Sequence, residues 1–170
     1  MRVCGIDCGT QITGYGVVEC RDGAREMRLV SIASGGICPP RKSPFPERLA
    51  FIYSELSALF VRYSPDVVAV EEVFHSVNAR SAIRLGHARG VALLAAATAG
   101  LTIAEYAPLT IKSAVTGYGL AAKQQVQFMV TRLLSLPVAP EPADAADALA
   151  IAICHIHHAQ TLSIEEVRAV

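Results

Sequence analysis

The feature that most constrains this chain is an apolar stretch near its start that carries a single carboxylate. Residues 3–10 begin like a buried strand and then place Asp7 two positions before a glycine. A second apolar run at residues 15–18 follows a Thr-Gly pair, and the two runs together predict a hairpin. Burying a carboxylate in such a strand costs free energy unless it has a partner. Asp7 therefore either hydrogen-bonds the glycine turn or binds a cation, and this stretch leaves both open.

The length and composition predict one compact domain. The chain has 170 residues, of which 52% are hydrophobic and 18% are charged, which suits a well-filled core. We expect a single domain over residues 1–158 and a mobile tail over residues 159–170. The start of the chain resembles a strand and not a signal peptide, and no apolar run is long enough to span a membrane, so we expect a cytoplasmic protein. Five cysteines without zinc-like spacing predict reduced thiols.

The order of the predicted elements indicates a mixed α/β sheet with helices on both faces. After the hairpin, a third strand covers residues 28–37 and two later strands cover residues 66–74 and 102–106. The continuous apolar run at residues 67–70 favours a strand that is covered on both faces and lies parallel to its neighbour. Helices are predicted at residues 47–63, 82–99, 108–117, 121–136 and 142–158.

Further acids come at positions where they can meet Asp7. Asp144 and Asp147 are three residues apart at the start of the last predicted helix, so they share one helix face. They also suit the helix dipole, but their neighbours are alanines and a leucine, which indicates a packed helix start. Glu71 and Glu72 end an apolar strand, and alternation allows only one of them to point towards Asp7. Position alone does not say which.

Such a set of carboxylates favours metal-dependent chemistry on a polyanion. Oxygen-only ligands suit Mg²⁺ or Mn²⁺, and two such ions about 4 Å apart can cleave a phosphodiester. The whole chain has zero net charge, yet residues 75–132 hold six basic residues and one acid, a net charge of +5. This basic stretch can face a nucleic acid or can simply be a set of solvated helix faces. A nuclease is the leading hypothesis.

Several motifs in the same order resemble a known family. They lie at residues 5–7 with 13–16, at residues 71–74, at residues 85–92 and at residues 143–150. Together they resemble RuvC, the family of bacterial Holliday-junction resolvases, over residues 3 to about 158. The resemblance implies an RNase H-like fold with a five-stranded mixed sheet, a homodimer, and Mg²⁺-dependent paired nicking of four-way DNA junctions in recombination and repair. The expected products carry 3′-hydroxyl and 5′-phosphate ends.

The resemblance also assigns individual residues. Its four catalytic and metal-binding acids fall on Asp7, Glu71, Asp144 and Asp147, which selects Glu71 over Glu72. Two Mg²⁺ ions are expected in each site, with Mn²⁺ as a substitute. The DNA-binding positions fall on Phe74, Lys112 and Lys123. The charge pattern, and not the resemblance, adds Arg80, Arg84 or Arg89 as an extension of this basic track. The expected partners are junction DNA, a second copy of the chain, and the branch-migration complex of RuvA and RuvB. Gln11 departs from the basic residue that related sequences often have.

Two other functions share part of this pattern. Residues 5–10 also resemble the first phosphate loop of a sugar kinase or a chaperone ATPase, but such proteins need a second domain and a second glycine-rich loop. A junction-binding module without catalysis is the other alternative. Four acids argue against it, because carboxylates repel phosphates and weaken simple binding. An ATP-binding assay and metal-dependent nicking of a labelled junction would separate the three functions.

Overall fold

A computed structural model describes residues 1–21, 28–72 and 79–168. Within these residues five strands form one mixed sheet in the order β3-β2-β1-β4-β5. Strand β2 pairs antiparallel with both β1 and β3. Strand β4 pairs parallel with both β1 and β5. The predicted mixed sheet and the parallel direction of β4 are therefore confirmed. The strands are β1 (Arg2–Asp7), β2 (Thr13–Arg21), β3 (Arg28–Ile37), β4 (Val67–Glu71) and β5 (Thr102–Tyr106).

The same described residues form five helices, which cover the two faces of the sheet. They are α1 (Phe45–Tyr63), α2 (Ala79–Thr98), α3 (Pro108–Thr116), α4 (Lys123–Leu133) and α5 (Ala143–Arg168). Helices α1 and α2 pack on one face, and α5 with α3 and α4 packs on the other. Helix α1 ends at Ser64 and α3 at Gly117, both in the left-handed conformation that commonly ends a helix.

Large side chains fill the core between the sheet and helices α1 and α2. Ile6 and Val70 point from the sheet towards Ile52, Leu56 and the small residues of α2, and all of these are almost fully buried. Strand residues alternate between faces, so the neighbours of Ile6 and Val70 point the other way. Asp7 and Glu71 therefore belong to the opposite face, which α5 covers.

The α5 face is packed in a different manner, because glycines of the sheet let the helix backbone approach closely. A Cβ atom built on Gly5 would lie 2.0 Å from the carbonyl oxygen of Ala148, and one on Gly16 would lie 2.6 Å from the amide nitrogen of Leu149. Such distances are far below van der Waals contact, so only glycine fits. The first half of α5 is accordingly held against β1 and β2 by backbone contact.

The final helix is longer than predicted. The sequence predicts that this helix ends near residue 158, whereas α5 continues to Arg168. The last ten residues of the helix contain neither glycine nor proline, so nothing in their backbone chemistry stops it. In the described part of the chain, no helix is long and apolar enough to cross a membrane.

Candidate carboxylate site

Two acids are brought together by the pairing of the parallel strands. Asp7 is the last residue of β1 and Glu71 the last residue of β4, and the register pairs Ile6 with Val70 immediately before them. The two side chains therefore lie at the carboxyl ends of adjacent strands and point to the same face of the sheet. This register selects Glu71 over Glu72 and agrees with the residue that the resemblance assigns.

The other two acids come from the first turns of α5. Asp144 lies next to Gly14, where a Cβ atom would meet the Asp144 carbonyl oxygen at 2.1 Å. Asp147 lies one turn further along and faces Asp7 and Glu71 across a cavity. The close approach of helix and sheet therefore determines how far these carboxylates lie from those on the strands.

Three of the four acids line a cavity of about 200 Å³. Asp7, Glu71 and Asp147 line it together with Lys112 from α3 and Lys123 from α4. Its remaining lining is apolar and comes from Pro108, Ile111, Val126, Ala150 and Ile151. Charged groups that lie close together against apolar side chains interact strongly, because little water screens them.

Burial and mutual repulsion both raise the pKa values of the acids on the strands. Burial raises the pKa of Asp7 to about 7, and the nearby charges of Asp147, Glu71 and Asp144 add to the rise. Burial also raises the pKa of Glu71, with Asp147 as the next cause. A positive charge in the cavity would relieve both effects.

Lys123 already supplies part of that positive charge. Its Nζ lies 2.5 Å from Oδ2 of Asp147, and this hydrogen bond raises the pKa of Lys123. Lys123 also lowers the pKa of Asp7, but the net effect on Asp7 is still a rise. One ammonium therefore does not neutralise the cluster.

The donor chemistry of the cluster suits a hard divalent cation, since carboxylate oxygens are what Mg²⁺ and Mn²⁺ prefer. As placed, no group of three or more His, Cys, Asp or Glu side chains within residues 1–21, 28–72 and 79–168 could hold a metal ion. The carboxylates would have to rotate inward, and Asp147 would have to leave Lys123.

The predicted DNA-binding residues do not all lie at this cavity. Lys112 and Lys123 line it. Arg80 is exposed at the start of α2, and the guanidinium of Arg84 lies over the ring of Phe45 at 5.1 Å. Arg89 turns inward, where it is 19% exposed and forms an ion pair with Glu105. The predicted contact Phe74 lies outside the described residues.

Two features of the site were not found by sequence reasoning. Arg48 from α1 donates a hydrogen bond to the carbonyl of Thr10 and so anchors the loop that follows Asp7. Nothing in the sequence around Arg48 indicates this contact. The backbone contact at Gly14 was also missed, although its position in a Thr-Gly-Tyr-Gly run on a strand was a usable signal for close approach.

Comparisons with known proteins agree with this geometry. A family model described as RuvC, crossover junction endodeoxyribonuclease, matches residues 3–155. The crossover junction endodeoxyribonuclease RuvC of Acidobacterium capsulatum is 67% identical over 99% of this chain and 100% of the relative. The structure of Thermus thermophilus RuvC has a TM-score of 0.86 at 35% identity, covering 95% of this chain and 96% of that one. Thermus thermophilus RuvC in complex with a Holliday junction substrate has a TM-score of 0.84 at 34% identity, with the same coverage.

A mixed five-stranded sheet with carboxylates gathered at the ends of adjacent parallel strands is typical of RNase H-like proteins, the class that the family resemblance implied. Within that class the match over residues 3–155 is specific. The chain belongs to the RuvC family of crossover junction endodeoxyribonucleases.

Proposed function

We propose that this chain is a divalent-metal-dependent endonuclease that resolves four-way DNA junctions by paired, symmetric nicks. The observation that carries the proposal is the convergence of acids from β1, β4 and α5 on one cavity with two lysines at its wall. Family membership supports it, and so does the likeness to a relative in complex with a Holliday junction substrate. A kinase or ATPase is disfavoured because the chain matches a resolvase over nearly its whole length.

In this proposal Asp7, Glu71, Asp144 and Asp147 hold two Mg²⁺ ions, with Mn²⁺ as a substitute. When bound, the pair of ions would supply activation of a water and stabilisation of the leaving oxygen, which gives a 3′-hydroxyl and a 5′-phosphate. The acids must be ionised to bind them, and burial raises the pKa of Asp7 to about 7, so the fraction of Asp7 that is protonated loses its proton on binding. Lys112 and Lys123, which line the cavity, contact phosphates near the ions.

We propose that the working form is a homodimer, because paired nicks need two sites related by a two-fold axis. Helix α2 supports this with an exposed apolar groove that also includes Leu49 of α1. Ile83 and Leu94 on this helix are 62% and 58% exposed. Gly86 lies between them and has no atom within 4 Å of its Cβ position, so a second helix can approach closely.

Two further assignments stay predictions. Phe74 is expected to stack on an unpaired base at the branch point, which is worth about 1–3 kcal/mol per base in single-strand binding proteins. The branch-migration complex of RuvA and RuvB is expected to deliver the junction.

The test is incubation of the protein with a labelled synthetic four-way junction, with and without Mg²⁺. We expect symmetric ligatable nicks with Mg²⁺ only, and Asp7→Asn should lower the rate by about a thousandfold or more while junction binding persists. The reason is that the substitution removes a metal ligand and leaves the basic contacts in place. Full activity of Asp7→Asn, or cleavage of linear duplex at the same rate, would contradict the proposal.

A further inference from the structure

The inward-facing Arg89 contacts the strand that carries one of the acids. Its Nε donates a hydrogen bond to the backbone carbonyl of Glu71 at 3.1 Å. Its guanidinium also forms the ion pair with the carboxylate of Glu105 on β5. Arg89 comes from α2, which lies on the face of the sheet opposite to the cavity. Its side chain reaches the end of β4, next to the acid cluster.

The Glu71 carbonyl needs this partner because β1 ends too early to supply one. The amide of Glu72 donates to the carbonyl of Tyr106 on β5, so the carbonyl of the same peptide points the opposite way, towards β1. The ladder between β1 and β4 stops at the pair Ile6 and Val70. Arg89 therefore takes the place of the strand donor that a longer β1 would have provided.

The charge of Arg89 also affects the pKa of a residue at the end of β1. Burial raises the pKa of the Cys8 thiol to about 12, with Asp7 adding to the rise and Arg89 opposing it. Cys8 directly follows Asp7, so Arg89 lies near the end of β1 as well as the end of β4. Glu105 on β5 pairs with it there.

We propose that Arg89 is a positioning residue for the metal site, which acts through Glu71. By fixing the peptide after Glu71, its fork sets the direction in which the Glu71 carboxylate leaves the strand. This inference rests on the proposed function, since it assumes that Glu71 is a ligand. It replaces the sequence-based prediction that Arg89 binds DNA.

The geometry requires arginine in particular. Nε and the terminal nitrogens of a guanidinium point in fixed, separate directions, so one side chain can serve the carbonyl and the carboxylate together. A lysine ammonium keeps the charge but is a single point on a flexible stem. Arg89→Lys therefore keeps the charge at this position while it loses the fork.

The test is calorimetric titration of DNA-free protein with Mn²⁺, at a temperature where every variant is folded. Arg89→Lys should weaken Mn²⁺ binding by about 10- to 100-fold, the range seen when the support of a metal ligand is removed. Glu105→Gln should weaken it less, because the bond to the carbonyl remains. Arg62→Lys, an exposed arginine on α1, is the matched control and should leave binding unchanged.

A double-mutant cycle separates positioning from general loss of structure. If Arg89 acts through Glu71, Arg89→Lys should have little further effect on Mn²⁺ affinity in a Glu71→Gln background. Additive losses, or Mn²⁺ affinity of Arg89→Lys equal to wild type, would overturn the inference. So would unchanged Mn²⁺ binding with a junction-binding salt slope lowered by about 1, which would make Arg89 a phosphate contact. If the wild type neither binds Mn²⁺ nor cleaves, the proposed function fails instead.

Discussion

The two faces of the sheet are built in opposite ways. On the α1 and α2 face, large side chains such as Ile52 and Leu56 separate helix from strand. On the α5 face, Gly5 and Gly14 bring strand backbone against helix backbone. A side-chain layer can adjust by changing rotamers, whereas backbone contact has no such freedom. The acids lie on the face where positions are held most closely, and the opposite face presents a groove to solvent.

This contrast assigns a separate task to each face. The α5 face carries the proposed cation site, because the distances from Asp147 to Asp7 and Glu71 depend on how α5 sits on the sheet. The α1 and α2 face carries the exposed groove proposed for dimer formation. Arg89 is the exception, since it starts on the second face and supports an acid on the first. Each of the following changes is directed at one face.

The largest effect is expected from a charge placed in the groove of α2. Leu94→Asp should weaken the dimer by at least about a hundredfold, because burying an unpaired carboxylate costs several kcal/mol. Sedimentation equilibrium measures the dissociation constant of the dimer. Val61→Asp on α1 is the control, since Val61 is 82% exposed and does not line the groove. A wild-type chain that is monomeric with junction bound would refute the groove as an interface.

The next effect compares the two packing modes directly. Gly14→Ala adds a methyl group 2.1 Å from the Asp144 carbonyl oxygen, so it should push the start of α5 outward. We expect a loss of about 1–3 kcal/mol in stability and, because the acids move apart, about a tenfold weaker affinity for Mn²⁺. Thermal unfolding and calorimetry measure the two quantities.

Its counterpart on the other face is Leu56→Ala, which should cost about 2–5 kcal/mol of stability. Mn²⁺ affinity should nevertheless stay close to wild type when both proteins are folded. If the two variants lose Mn²⁺ affinity in proportion to stability, the proposed difference between the faces is wrong.

A smaller effect concerns pH. The pKa of Asp7 is raised to about 7 in the fold from an ordinary value of 3.8, so folding favours its protonated form. The stability that Asp7 contributes to the metal-free protein is therefore full below about pH 4 and is lost as pH rises through about 7. Mg²⁺ binds the ionised form of Asp7, so the rise in Tm that Mg²⁺ causes should be larger at pH 8 than at pH 5.5. Asp7→Asn should remove most of this pH dependence, and a pH-independent Mg²⁺ effect in wild type would contradict it.

The smallest effect separates the two lysines of the cavity. Lys112→Ala should lower the salt slope of junction binding by about 1, as expected for one lost phosphate contact. Without a divalent ion, Lys123→Ala should change the slope less, because the Nζ of Lys123 is then still paired with Asp147. Equal changes without the ion would mean that Lys123 leaves Asp147 when DNA binds.

Much of the site could be predicted from the sequence because its acids end or begin regular elements. Asp7 ends a strand with a glycine turn after it, and Asp144 and Asp147 begin a helix at a spacing that places them together. The choice between Glu71 and Glu72 could not come from alternation alone. It depends on the register of β4 against β1, which is a property of two segments about sixty residues apart.

Other features could not be predicted because they depend on long-range contact or on an absence of local signals. Arg89 lies in a basic stretch and was therefore interpreted as part of a DNA track, yet its partners come from β4 and β5. The end of α5 has no glycine or proline to mark it, so the fading of apolar periodicity was mistaken for the end of the helix.

In the proposed function, the close packing of α5 on the sheet makes one cation site out of acids from three elements. Anomalous diffraction from crystals soaked in Mn²⁺ locates the ion without reference to activity. We predict a peak enclosed by Asp7, Glu71 and Asp147, with a second ion on the side of Asp144. Crystals that hold Mn²⁺ elsewhere, or that show no peak in this cavity at a concentration that supports cleavage, would contradict the claim.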